Sequence, residues 1–90
     1  MEVIIKKDDK ELRYKLIEPT LDVKALAFQT YMNGQKGIDH VGGGSIIFDS
    51  CYTGSAEDLI KIKMDSDLYI SICFRCAEFI VIYEGEIKKN

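Results

Sequence analysis

The last quarter of the chain, Asp65 to Asn90, carries the longest periodic pattern in the sequence. Tyr69, Ile72, Cys73, Cys76, Ile80, Tyr83 and Ile87 recur at helical steps, while Ser71, Arg75, Glu78, Glu86 and Lys89 form a narrow polar stripe opposite them. This spacing predicts one long C-terminal helix, capped by Asp65 or Ser66, with Cys76 and Ile80 in its core contact. Leu68, Ile70, Phe74, Phe79, Val81 and Ile82 widen the apolar face beyond what one helix-on-hairpin contact covers, so the rest of the chain is expected to coat it. The stretches LYISICF and FIVIY also suit strands, and a second hairpin competes with the helix. Its turn would fall on Arg75, Cys76, Ala77 and Glu78, none of which favours the positive φ of a tight hairpin turn, so the helix is the stronger reading.

A chain of 90 residues makes one domain, and at that size it buries only about 60 to 65% of its unfolded surface. An oligomer contact would add burial, and a homo-oligomer is expected. The net charge is −3 and the twelve basic residues are dispersed, which argues against nucleic acid, whose phosphates are held by clustered Lys and Arg. No apolar run approaches the roughly 18 to 20 residues of a membrane span. Glu2 and the short apolar run after it do not resemble a signal sequence, so a cytoplasmic protein is expected, with its three cysteines reduced.

At the other end, Val3 to Lys6 and Glu11 to Ile17 flank a polar turn, and Leu12, Tyr14 and Leu16 alternate with Arg13 and Lys15. They predict a β-hairpin within residues 2–18 that needs something packed on it. Pro19 ends it and Thr20 caps a helix from Leu21 to about Met32, with Val23, Leu26, Ala27 and Tyr31 on one side and Asn33-Gly34 as the stop. Gly34 to Gly44 holds five of the seven glycines and predicts a mobile loop. Residues 45–52 are ambiguous between strand and helix, with a short helix preferred. Ser55 and Asp58 resemble a capping box for a turn through Leu59 and Ile62. The expected fold is α+β, a hairpin packed on three or four helices within residues 20–90 and dominated by the C-terminal one.

No catalytic constellation is visible in these residues. Cys73-Phe74-Arg75-Cys76 is a C-x-x-C, but redox pairs use a helix N-terminus, and this one lies inside a helical pattern among apolar neighbours. It reads as two small buried hydrophobes. His40, Cys51, Cys73 and Cys76 are the inventory of a Cys₃His zinc site, yet His40 and Cys51 lack paired spacing, so neither metal nor cofactor is expected. Gly42-Gly43-Gly44-Ser45 has no following Lys to make it a phosphate loop. Asp8, Asp9, Asp65 and Asp67 sit where turns and caps need short acidic side chains.

The order of these pieces resembles phage tail assembly chaperones. A hairpin ending in Leu16-Ile17-Glu18-Pro19-Thr20 runs straight into a helix, as in their Leu-x-x-Pro-Thr-like junction, and Gly44 to Cys51, then Gly54, then a helix with an acidic and basic tail extend the likeness. Gly42 and Gly43 depart from the helix formers expected there. The resemblance implies a non-enzymatic protein of the bacterial host's cytoplasm that binds the long helical tape measure protein of a phage or prophage. Phe74, Val81 and Ile82, surplus to the helix's own packing, are the expected partner-binding residues. Family members also occur in a frameshifted longer form, and Lys88-Lys89-Asn90 is compatible with the adenine run such slippage uses. The alternatives are a small oligomeric phage inhibitor of a host defence system and a zinc-stabilised Cys₃His module.

Overall fold

Asp8 and Asp9 hold positive φ values of 50° and 60°, the left-handed pair that closes a two-residue type I′ turn and matches the strand twist on either side. The structure is a computed structural model that describes residues 1–89. It opens with an antiparallel hairpin, β1 (Glu2–Lys7) on β2 (Lys10–Lys15), in register from Glu2 opposite Lys15 to Lys7 opposite Lys10. Val3 is buried and Ile5 and Tyr14 pack against the core, so one face of the hairpin lies on the helices. The C-terminal end of the free edge of β2 is tied down beside the end of the second helix. The Thr53 N–H donates to the Lys15 carbonyl at 3.1 Å and the Ile17 N–H to the Cys51 carbonyl at 2.9 Å.

Among the described residues four α-helices follow, α1 (Leu21–Met32), α2 (His40–Cys51), α3 (Ala56–Met64) and α4 (Ser66–Cys76). The fold is therefore α+β, as the pattern predicts. Each helix starts on a short oxygen-bearing side chain that accepts an otherwise unpaired N–H of its first turn. Thr20 accepts from Val23 at 3.4 Å, Asp39 from Gly42 at 2.7 Å, Ser55 from Asp58 at 3.1 Å and Asp65 from Leu68 at 3.2 Å.

The C-terminal helix is not long. It ends at Cys76, tightens into a 3₁₀ turn at Ala77–Phe79, and leaves helical geometry at Ile80, where φ is −83° and ψ is 104°. The phase of its pattern holds as far as it goes: Ile72, Cys73 and Cys76 are buried while Ser71, Arg75 and Glu78 are exposed. Beyond that point Ile80, Val81, Ile82 and Tyr83 are all β-branched or aromatic, and such residues lose χ1 freedom in a helix. Among these only Ile80 reaches the core, while Val81, Ile82 and Tyr83 stay exposed, so little packing offsets the loss. Cys76 is in the core, whereas Ile80 is half-buried at its edge, and residues 81–89 are exposed. Asn90, the end of the expected helix, lies outside the described residues.

The organising element is instead α2, which packs against both α1 and α4 and buries Gly43, Gly44, Ile47, Phe48 and Cys51. The glycine run is thus helix, not mobile loop, from Gly42 onward. A Cβ on Gly44 would collide with the carbonyl of Cys73 in α4, and one on Gly43 would stand 2.8 Å from the Cβ of Tyr31 in α1. The glycines let two backbones approach α2 from two sides. Three of them weaken the helix by about 3 kcal/mol relative to alanine, a loss that close packing offsets.

Lys7 at the hairpin turn meets Asp65 at the start of α4 with Nζ–Oδ2 of 2.6 Å. The hydrogen bond from Lys7, then that from the Leu68 N–H, holds the Asp65 carboxyl below its ordinary range. A depressed carboxyl stabilises the fold above its unfolded pKa and stops doing so as pH falls through its folded pKa. Asp65→Asn is expected to flatten the acid limb of stability, read from thermal melts across about pH 2 to 5. The effect is small because the pair is exposed to solvent.

Candidate partner-binding surface

Among the described residues fifteen large apolar side chains remain exposed, and part of this surface is gathered into two grooves. The first, about 460 Å³, runs between α1 and the C-terminal segment. Leu21, Ala25 and Phe28 form one wall, Val81, Ile82 and Tyr83 the other, Ile47 lies at the floor, and Lys24 contributes the one charged side chain. The second, about 760 Å³, lies between β1 and α4, with Ile4, Ile5, Ile70 and Phe74 as its apolar lining and Lys6 and Arg75 as its cations.

The expected binding residues are therefore divided. Val81 and Ile82 lie in the first groove and Phe74 in the second. They share no helix face, because the helix that was to carry all three ends before Val81. Phe74 is half covered by its neighbours: the His40 ring lies 5.3 Å away, centroid to centroid, and the Arg75 guanidinium 5.5 Å from its ring. His40 in turn meets Tyr31 edge-on at 5.2 Å.

The α1 wall was missed from sequence. The inward residues expected for α1 include Leu26, which is 51% exposed, while Ala27 is buried and Val23 and Tyr31 are half-buried. Leu21, Ala25 and Phe28 form a second stripe at i, i+4 and i+7 on the same helix. A helix apolar on two sides was the available signal.

The thiols are not placed for chemistry. Cys51, Cys73 and Cys76 are buried and free. Burial pushes the Cys73 thiol up to about 11 and the Cys76 thiol up to about 12, so almost none of either is thiolate, the reactive form, at neutral pH. His40 and Cys51 occupy opposite ends of α2, about 16 Å apart along the helix. The Cys₃His set is not brought together, and among the described residues no group of three or more His, Cys, Asp or Glu side chains could hold a metal ion.

One polar cluster that sequence reading missed joins three helices. Asp49 of α2 accepts from the Tyr69 hydroxyl of α4 at 2.8 Å and from Lys63 of α3 at 3.0 Å. Burial first, then the bond to Asp49, pushes the Tyr69 hydroxyl pKa well up. It stays a donor, and the cluster is a brace between helices. No helix among the described residues is long and apolar enough to cross a membrane.

Comparison with family models, curated proteins and solved structures gives no match to this chain.

Proposed function

We propose that this chain is a non-enzymatic phage tail assembly chaperone, acting in the cytoplasm of the infected bacterium, that holds a helical segment of the tape measure protein in the groove between α1 and the C-terminal segment. The observation that carries the reading is that groove itself: Leu21, Ala25 and Phe28 face Val81 and Ile82 across an apolar trough that the chain's own fold leaves open. Amphipathic helices dock in such troughs through side chains at i, i+3, i+4 and i+7. The junction at Leu16 to Thr20 supports the family named. The buried, high-pKa thiols support a binding role over a catalytic one.

Apolar contact in the groove contributes about 25 cal/mol per Å² buried, partly offset by ordering the C-terminal segment, so affinity is moderate and one buried charge abolishes most of it. The test is co-expression with a tape measure protein. The client is expected to stay soluble with the wild-type chain and with Ile60→Asp, whose site on α3 is exposed and outside both grooves. With Val81→Asp, binding should fall at least about tenfold and the client should precipitate. A client equally soluble without this protein, or with Val81→Asp in its place, overturns the reading.

A further inference from the structure

Among the described residues, the outward edge of β1 is unpaired along its length. Met1 and Leu16 exchange backbone hydrogen bonds in both directions, at 2.8 and 3.2 Å, which fixes the alternation of the ladder. Val3, Ile5 and Lys7 then bond inward to β2, and the backbone N–H and C=O groups of Glu2, Ile4 and Lys6 point away from it. The edge of β2 is tied only at its C-terminal end, to Cys51 and Thr53; it is open at Glu11 and Arg13, where the Arg13 cation is already held by Glu2 and Glu11. Among the described residues, no backbone group bonds to the outward edge of β1, and the second groove runs along it.

Near its C-terminal end the chain also has a segment without secondary structure. Tyr83 to Lys88 runs on from the end of the α1 groove, is exposed throughout and makes no backbone hydrogen bond among the described residues. Tyr83 and Ile87 are 88% and 89% exposed. It projects from the body: the radius of gyration is 14.7 Å and the longest extent 56 Å, against about 12 Å for the radius of a compact chain of this length. The segment spans six residues, the length of β1.

Given these two features, we infer that Tyr83 to Lys88 of a second copy of this chain adds to β1 as an antiparallel third strand, with Lys6 opposite Glu84 and Glu2 opposite Lys88. Edge strands with free ladder groups are templates for such addition. Charge selects the occupant and the register. The groove presents Lys6 and Arg75 beside apolar Ile4, Ile70 and Phe74, and the segment presents Glu84 and Glu86 beside Tyr83 and Ile87. In this register Ile87 falls beside Val3 and Gly85 beside Ile5 on the face turned toward α4, while Glu84 and Lys88 meet opposite charges on the other face. Within the chain Lys6 and Glu84 form no ion pair among the described residues, whereas Glu2 already holds Arg13 at 2.6 Å, so Lys6–Glu84 is the pair that discriminates.

Sedimentation velocity on the full chain and on charge-reversed variants tests this. Wild-type protein is expected to self-associate, and a chain ending at Tyr83 to be monomeric. Lys6→Glu and Glu84→Lys are each expected to weaken association about tenfold, since each sets like charges opposite one another. Mixing the two variants restores it, because both exchanged contacts in the mixed pair are again of opposite sign, and the double variant K6E/E84K restores it in one chain. A monomeric wild-type chain overturns the inference, as does unchanged association after truncation or a mixture no stronger than either variant alone. The truncated chain keeps Val81 and Ile82, so client solubility in its presence reads the proposed chaperone function separately.

Discussion

Phe48→Ala is expected to remove about 3 to 5 kcal/mol of stability, the range for deleting a fully buried aromatic ring. Phe48 is the largest side chain with no exposure at all. Its ring stacks on Tyr52 at 5.0 Å and meets Tyr14 at 6.1 Å and Tyr69 at 6.3 Å, both at steep angles. One ring thus joins β2, α2 and α4, and the void left by alanine would open where three elements meet. Small domains hold only about 5 to 15 kcal/mol in total, so the variant should be partly unfolded at room temperature. Urea denaturation followed by circular dichroism measures it. A loss below about 1 kcal/mol would mean that the hairpin does not depend on this ring.

Gly44→Ala is expected to destabilise the fold by about 2 kcal/mol or more, although alanine is the better helix former by about 1 kcal/mol. The added methyl meets the carbonyl of Cys73 and stands 3.1 Å from the N of Ala77. Both are backbone atoms that cannot rotate aside, so α2 and α4 must separate and the contacts of Ile47, Ile72 and Cys76 loosen together. Gly85→Ala is the matched control: nothing lies within 4 Å of its added Cβ, and the change should stay within about 0.5 kcal/mol. If Gly44→Ala proved stabilising, the glycine would be a propensity defect and not the contact point of two helices.

Several features were legible because they are local. The turn acids Asp8 and Asp9, the caps Thr20, Ser55 and Asp65, and the alternation of Leu12 and Tyr14 each act over three or four residues, so their chemistry is written in neighbouring positions. The inward phase of Ile72, Cys73 and Cys76 was legible for the same reason. Two features misled. A three- and four-residue rhythm continued past Cys76 through Ile80, Tyr83 and Ile87, and periodicity alone does not register that nothing packs on the continuation. The glycines at 42–44 resembled a loop because their isolated preference is against helix, and the two helices that need them small are distant in sequence. The candidate site suffered from both. With the final helix overextended, Phe74 was grouped with Val81 and Ile82, and the opposite wall on α1 went unseen.

By itself the sequence determined the hairpin, three of the four caps, the existence of α1 and α3, and the burial of the C-x-x-C pair. These follow from side chains acting on their own backbone, or from a repeat matched to one element's period. Only the tertiary structure decided that α2 is the centre, that the chain leaves helical geometry after Phe79, and that the apolar surplus is divided between two grooves. Those outcomes depend on the distance between the backbones of α2 and α4, set where Gly44 meets the Cys73 carbonyl, and on which surfaces the body has left to cover Ile80 and the residues beyond it. Both are properties of pairs far apart in the chain, and no local pattern records them.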